Sequence, residues 1–217
     1  MGYTQKKHFP ITAQPTMITY RLAGSVPVKM EEYLIEARNL KLEKLWVEVL
    51  KHQPAKRKKF LEENTFRIHG EHELAIEKLM HTHGSGPYHL QRPELQKIIM
   101  DSWAFLHDKK AIFLVALCVM GNHVHVIVKS PEHLQEILPG KLMQRHKAHT
   151  AKACNTLLGK TGEPLWHNDY HDRAIRAGKF ISAMYYLLNN PVKAGLVNTW
   201  AEWPGTYVHP DYVGLFR

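Results

Sequence analysis

Residues 17 to 22 alternate Ile18, Tyr20 and Leu22 with Thr19 and Arg21, and this two-residue period predicts a first strand, ended by Gly24-Ser25-Val26-Pro27. The period then lengthens. From residue 28 to about 49, Met30, Tyr33, Leu34, Ala37, Leu40, Leu45 and Val49 recur at helical intervals among Glu and Lys, which predicts an amphipathic helix that Gln53-Pro54 breaks. A second, charged helix from near Ala55 and a third around residues 71 to 80 are expected to follow. Residues 28 to 82 thus read as a helical insertion inside a single domain of residues 1 to 217, with no internal repeat. A loop at His83-Gly84-Ser85-Gly86-Pro87 leads to a helix over residues 93 to 107, with Leu95, Ile98, Ile99, Trp103 and Leu106 on its apolar side.

The densest β-branched stretch comes next. Residues 111 to 120 and 123 to 129 predict two strands joined by Gly121-Asn122, a tight-hairpin signal because both residues tolerate positive φ. Residues 132 to 158 read as one helix interrupted near Pro139-Gly140, followed by a Gly-containing turn and a short tract ending in His171-Asp172-Arg173. A last helix covers residues 179 to 189 and stops at Asn190-Pro191. The order of elements points to an α+β fold, an antiparallel ferredoxin-like sheet with packed helices and a helical insertion after the first strand.

Strand alternation places His123 and His125 on one face of the second hairpin strand and Val124, Val126 and Val128 on the other. Two neutral imidazoles side by side make half of a metal site; for the pair alone, two histidines on the wetter face of an edge strand are the simpler explanation, because two ligands do not specify a metal. On the last helix, a 100° wheel gathers Phe180, Ile181, Met184, Leu187 and Leu188 into an apolar stripe. Tyr186 falls opposite that stripe with Asn190 one turn later, and Tyr185 lies nearer the stripe's edge. A phenol with a reference pKa near 10 is a weak nucleophile at neutral pH and needs a metal-polarised phosphate or a base beside it.

Composition narrows the partners. The chain has 217 residues, with Lys and Arg totalling 29 against 20 Asp and Glu, a formal charge of +9 before any of the 16 histidines protonates. That balance favours polyanions, without distinguishing DNA, RNA and a membrane surface. Cys118 and Cys154 form neither a zinc motif nor a disulfide framework, which fits a reducing cytoplasm. No apolar core follows Lys6-Lys7-His8 and no apolar run reaches about 18 residues, so neither a signal peptide nor a membrane span is expected.

Three ordered motifs together carry a resemblance. Met120-Gly121-Asn122-His123-Val124-His125, then Trp166 with Tyr170-His171-Asp172-Arg173-Ala174-Ile175-Arg176, then Tyr186-Leu187-Leu188-Asn189-Asn190-Pro191-Val192-Lys193-Ala194-Gly195-Leu196-Val197 look like the REP-associated tyrosine transposases, within the single-tyrosine HUH transposase-like family. Ile18-Thr19-Tyr20-Arg21-Leu22 is similar to that family's first strand. The one departure is Gly121, where the family usually has Pro.

The resemblance implies a ferredoxin-like core and a divalent cation, Mg²⁺ or Mn²⁺, held by His123 and His125, with Asn190 completing or bordering its shell. It implies that Tyr186 attacks a phosphodiester of single-stranded or hairpin-forming repetitive DNA, leaving a 5′-phosphotyrosyl enzyme and a free 3′-hydroxyl. One phosphodiester replaces another, so no ATP site is required.

For DNA contacts, Lys141, Arg145, His149 and Lys152 share one helix face that either tracks phosphates or is merely solvated. Arg173 and Arg176, near the last helix in sequence, are candidates for contacts close to the cleaved strand. Trp166 offers a stacking surface for unpaired bases or a core side chain. Lys56-Arg57-Lys58-Lys59 reads as solvated. A domesticated DNA-binding protein with little or no catalysis is the alternative, and the state in solution is a monomer or a homodimer.

Overall fold

In the computed structural model, residues 8–81 and 86–216 are described. Lys6, Lys7 and most of the loop expected at 83 to 87 lie outside them. In chain order the elements are β1 (Thr16–Arg21), α1 (Val28–Leu50), α2 (Pro54–His81), α3 (Pro93–Asp108), β2 (Phe113–Val119), β3 (His123–Lys129), α4 (Pro139–Leu158), β4 (His171–Ala174), α5 (Phe180–Leu188), α6 (Asn190–Lys193), β5 (Thr206–Val208) and α7 (Pro210–Val213). The strands form one antiparallel sheet in the order β4-β1-β3-β2-β5. With helices packed on it, this is the expected α+β, ferredoxin-like architecture.

Two compact units divide the chain, residues 24–86 and the remainder. The smaller is the α1–α2 hairpin. Its interior consists of two clusters, Val26, Ile76 and Met80 in one and Leu45, Val49 and Ile68 in the other. The second and third helices expected there are one continuous α2, because no proline interrupts residues 55 to 81 and a lone Gly70 costs a helix only about 1 kcal/mol. Gly86 has φ +74°, and a Cβ there would lie 2.1 Å from the Gly24 carbonyl oxygen and 2.5 Å from Ser25 Cα. The feet of the hairpin therefore meet at a contact only glycine permits.

In the larger unit the sheet separates two cores. On one face Ile18, Tyr20, Val124, Val126 and Leu117 meet α3 and α4 through Ile99, Trp103 and Met143. On the other, Ala116, Cys118, Met120 and Ile127 meet Met184, Leu187 and Leu188 of α5. Other boundaries differ from expectation for identifiable reasons. The segment before α4 is not helical; Ile11 bridges Ile137 there, and α4 begins at Pro139, where the missing N–H of proline costs nothing. β4 and β5 are short edge strands of four and three residues.

A fully buried polar chain ties β1 to α3 and α4. The Trp103 indole N–H donates to Tyr20 Oη (2.9 Å), the Tyr20 hydroxyl is hydrogen-bonded to His146 Nε2 (2.6 Å), and His146 Nδ1 to Ser102 Oγ (2.9 Å). Burial, assisted by the charges of His149 and Lys147, pulls His146 down to about 3. His8 moves oppositely: hydrogen bonds with Asp169 and Asp172 raise it to about 9. Below about 6.5 the unfolded chain takes up a proton that folded His146 refuses, so stability falls as pH drops from 6.5 toward 3. The His8 contribution is full below 6.5 and is lost as pH rises through 9. Thermal melts across pH 4 to 10 are expected to peak near 6.5; His146→Gln should flatten the acid limb and His8→Ala the alkaline limb.

Candidate active site

β3 is a central strand between β1 and β2, so the edge-strand explanation of the histidines is overturned: His123 is 1% and His125 0% exposed. They lie on the α5 face, with ring centroids 4.8 Å apart and planes nearly perpendicular. The hairpin is tight for a different reason than expected. Neither Gly121 nor Asn122 has positive φ. Instead, a Cβ at Gly121 would come within 2.8 Å of the Tyr88 ring and 2.9 Å of Gln91 Cγ, so glycine serves close packing. The Gly121 carbonyl accepts from Leu90 N–H and that of Asn122 from Leu22 N–H, fixing the link at both carbonyls.

The neighbours of the rings determine where their protons sit. His123 Nδ1–H donates to the Asn122 side-chain carbonyl (2.7 Å), a group that only accepts, so His123 carries its lone pair on Nε2. His125 Nδ1 bonds Thr19 Oγ1 at 2.9 Å, and Thr19 stands directly opposite His125 in the β1–β3 register. The Thr19 hydroxyl can accept from or donate to that nitrogen; in the tautomer whose Nδ1–H donates, the His125 lone pair lies on Nε2. Such outer partners orient imidazoles for metal ligation.

α5 brings Tyr186 to this pair. Its ring centroid is 5.8 Å from that of His125 at 80°, and Lys193 Nζ sits over the phenol ring at 4.7 Å. Tyr185 turns elsewhere, 45% exposed, with its ring 5.1 Å from that of Phe216. Asn190 is fully buried rather than facing an open cleft. Its Nδ2–H donates to the Tyr186 carbonyl (2.9 Å), and its Oδ1 is buried with no hydrogen-bond partner among the described residues. An amide oxygen is a donor that a hard divalent cation accepts, and imidazole nitrogens are donors for borderline ones. No cluster of three His, Cys, Asp or Glu suited to a metal occurs among the described residues. The apolar stripe of α5 also shifts slightly, since Ile181 is 44% exposed.

The other residues singled out in the sequence fall on both sides of the sheet. Arg173 pairs with Met17 and shares the histidine face; partial burial, and after it the charge of nearby Arg176, lowers the Arg173 guanidinium. Lys141 and Arg145 are exposed on α4, which covers the opposite face. Trp166 is core, 6% exposed, its indole N–H donating to Thr150 Oγ1 (2.9 Å); it reaches the surface only as a wall of a groove of about 370 Å³ beside α4.

Three residues escaped the sequence reading. Asn122 holds His123 directly. Arg21 is a buried cation, 7% exposed, opposite His123 in register. Lys147 Nζ donates to the carbonyls of His167, Asn168 and Asp169 and thereby shapes the segment leading into β4; burial lowers it to about 8. The strand spacing of Arg21 could have revealed that it shares a face with Thr19. For Asn122 and Lys147 no local signal exists.

No family profile matches the chain. A Haemophilus influenzae protein provisionally named a REP-associated tyrosine transposase is 28% identical over 104 residues, which cover 45% of this chain and 59% of that relative's length. A solved REP-associated tyrosine transposase bound to a REP hairpin superposes with a TM-score of 0.52 at 14% identity, covering 99% of this chain and 89% of the other. No helix among the described residues is long and apolar enough to cross a membrane. The resemblance to REP-associated tyrosine transposases drawn from the three motifs is thereby borne out, in sequence over part of the chain and in fold along nearly all of it.

Proposed function

We propose that this chain is a metal-dependent, transposase-like enzyme that cleaves and rejoins single-stranded DNA through a phosphotyrosine on Tyr186. The reading rests above all on the meeting of the Tyr186 ring with the His123–His125 pair on one face of the sheet. In the forward step Tyr186 Oη bonds to phosphorus and the bond from phosphorus to the 3′ oxygen breaks. The phenol proton passes to solvent, and the departing 3′ oxygen takes up a proton to become a free hydroxyl. The reverse step restores a phosphodiester, so the bond energy is kept without a nucleotide cofactor.

His123 Nε2, His125 Nε2 and Asn190 Oδ1 would hold Mg²⁺ or Mn²⁺, with Asn122 and Thr19 orienting the imidazoles. A cation there supplies charge neutralisation and orientation to the scissile phosphate. Arg173 and Arg176 are read as contacts near the cleaved bond. Lys141 and Arg145 are read as phosphate contacts on the other side of the sheet, and Trp166 as a support for the neighbouring groove rather than an open stacking platform. The solved fold neighbour holds a REP hairpin, which supports hairpin-forming repetitive DNA as the substrate class.

A single-stranded oligonucleotide carrying a hairpin, incubated with the protein and Mg²⁺ or Mn²⁺, is expected to give a denaturant-resistant adduct that peptide mapping assigns to Tyr186. Chelator should prevent it. An adduct on another residue, or cleavage indifferent to chelator, overturns the proposal.

A further inference from the structure

The two halves of the histidine face differ. Over β2 and β3, α5 seals the sheet: Cys118, His125 and Ile127 are each 0% exposed. Over β1 and β4 the same face opens. Met17 and Thr19 are half-buried, His171 likewise, and Arg173 is exposed.

Register fixes what lies there. His171 stands opposite Thr19, which stands opposite His125, so these three form one row across β4, β1 and β3. Arg173 stands opposite Met17 in the next row, and Arg21 opposite His123 on the other side. Ile175, two residues beyond Arg173, packs in the α5 core, so the odd-numbered residues of this stretch face the histidines. The even-numbered Asp172 points to the other side and pairs with His8. The open half-face therefore carries Arg21, His171 and Arg173, with Arg176 close to Arg173, and none of its register positions is an acid.

We propose that the open β1–β4 half of this face is the track of the single DNA strand flanking the scissile phosphate, its phosphates held by Arg173, Arg176 and His171 with buried Arg21 at the deep end. This rests on the reading of His123, His125 and Tyr186 as the cleavage centre. Charge complementarity and continuity with that centre choose the occupant. Two strand spacings of about 4.8 Å separate the β3 row from β4, which puts His171 within reach of a neighbouring nucleotide of a strand whose phosphate lies at the histidine pair. The basic face of α4, behind the sheet, is excluded from that track.

The test measures binding of a fluorescent, unstructured oligothymidylate of about 12 nucleotides by anisotropy, with Tyr186→Phe protein in chelator and salt varied between roughly 50 and 200 mM. Every phosphate of a single strand that is deprived of its cationic partner lowers the slope of log K against log salt by about 0.7, so Arg173→Ala with Arg176→Ala should reduce it by about 1.4. Both side chains are exposed and belong to neither core of the sheet. Lys58→Ala with Lys59→Ala, in the helical insertion, should not change the slope. An unchanged slope in the Arg173/Arg176 variant overturns the inference. So does self-association, measured by sedimentation, that Arg173→Glu abolishes while DNA binding persists, because a second copy would then own the surface. The reduced slope without any adduct from the unsubstituted protein would sink the strand-transfer reading and spare this one; an adduct with the slope untouched would do the reverse.

Discussion

Tyr186→Phe is expected to reduce covalent capture of a single-stranded oligonucleotide to background while binding persists. The substitution removes one oxygen, the only atom that can form the bond to phosphorus, and leaves the ring against His125 and beneath Lys193. Tyr185→Phe serves as the internal comparison. Its ring packs against Phe216, and exposed substitutions cost within about 0.5 kcal/mol, so capture should stay within about twofold of the unsubstituted protein. Gel analysis of denatured reaction mixtures reads both variants. Equal adduct from the two, or loss with Tyr185→Phe alone, reverses the assignment.

His123→Ala combined with His125→Ala should abolish the metal-stimulated part of cleavage, a loss of more than about 100-fold, since removing even an outer partner of a metal ligand costs 10- to 100-fold. Asn190→Ala should fall between this variant and the unsubstituted protein and should respond to added metal. Both histidines are buried and hydrogen-bonded, so their loss strands the Asn122 carbonyl and the Thr19 hydroxyl, at about 1–3 kcal/mol each. Near-ultraviolet circular dichroism and a thermal melt separate that destabilisation from loss of chemistry. A folded double variant that still cleaves with full metal stimulation removes these imidazoles from the mechanism.

What can be read from the chain follows its periodicities. The alternation through His123, Val124, His125 and Val126 makes β3 unmistakable and puts both imidazoles on one side. The last helix is equally clear, and the wheel alone separates Tyr186 from Tyr185. β4 and β5 are hidden because an edge strand of four polar residues, or of three residues in all, carries no stripe to detect. The division of basic residues between the two faces of the sheet is also invisible, since it depends on which helix covers which side. Trp166 illustrates the same limit: burial and a hydrogen bond to Thr150 fix its role, and both arise from chain segments 16 residues apart.

The neck where Gly86 presses on Gly24 and Ser25 has an architectural consequence. A hairpin whose ends already touch spans no gap in the rest of the chain, and the entropy of closing it grows only logarithmically with its length. The α1–α2 arm can therefore be trimmed, extended or exchanged for another module while β1 and α3 keep their junction. The pinched glycine acts as a collar that closes residues 24–86 on themselves, and so makes this segment the natural place to graft new cargo.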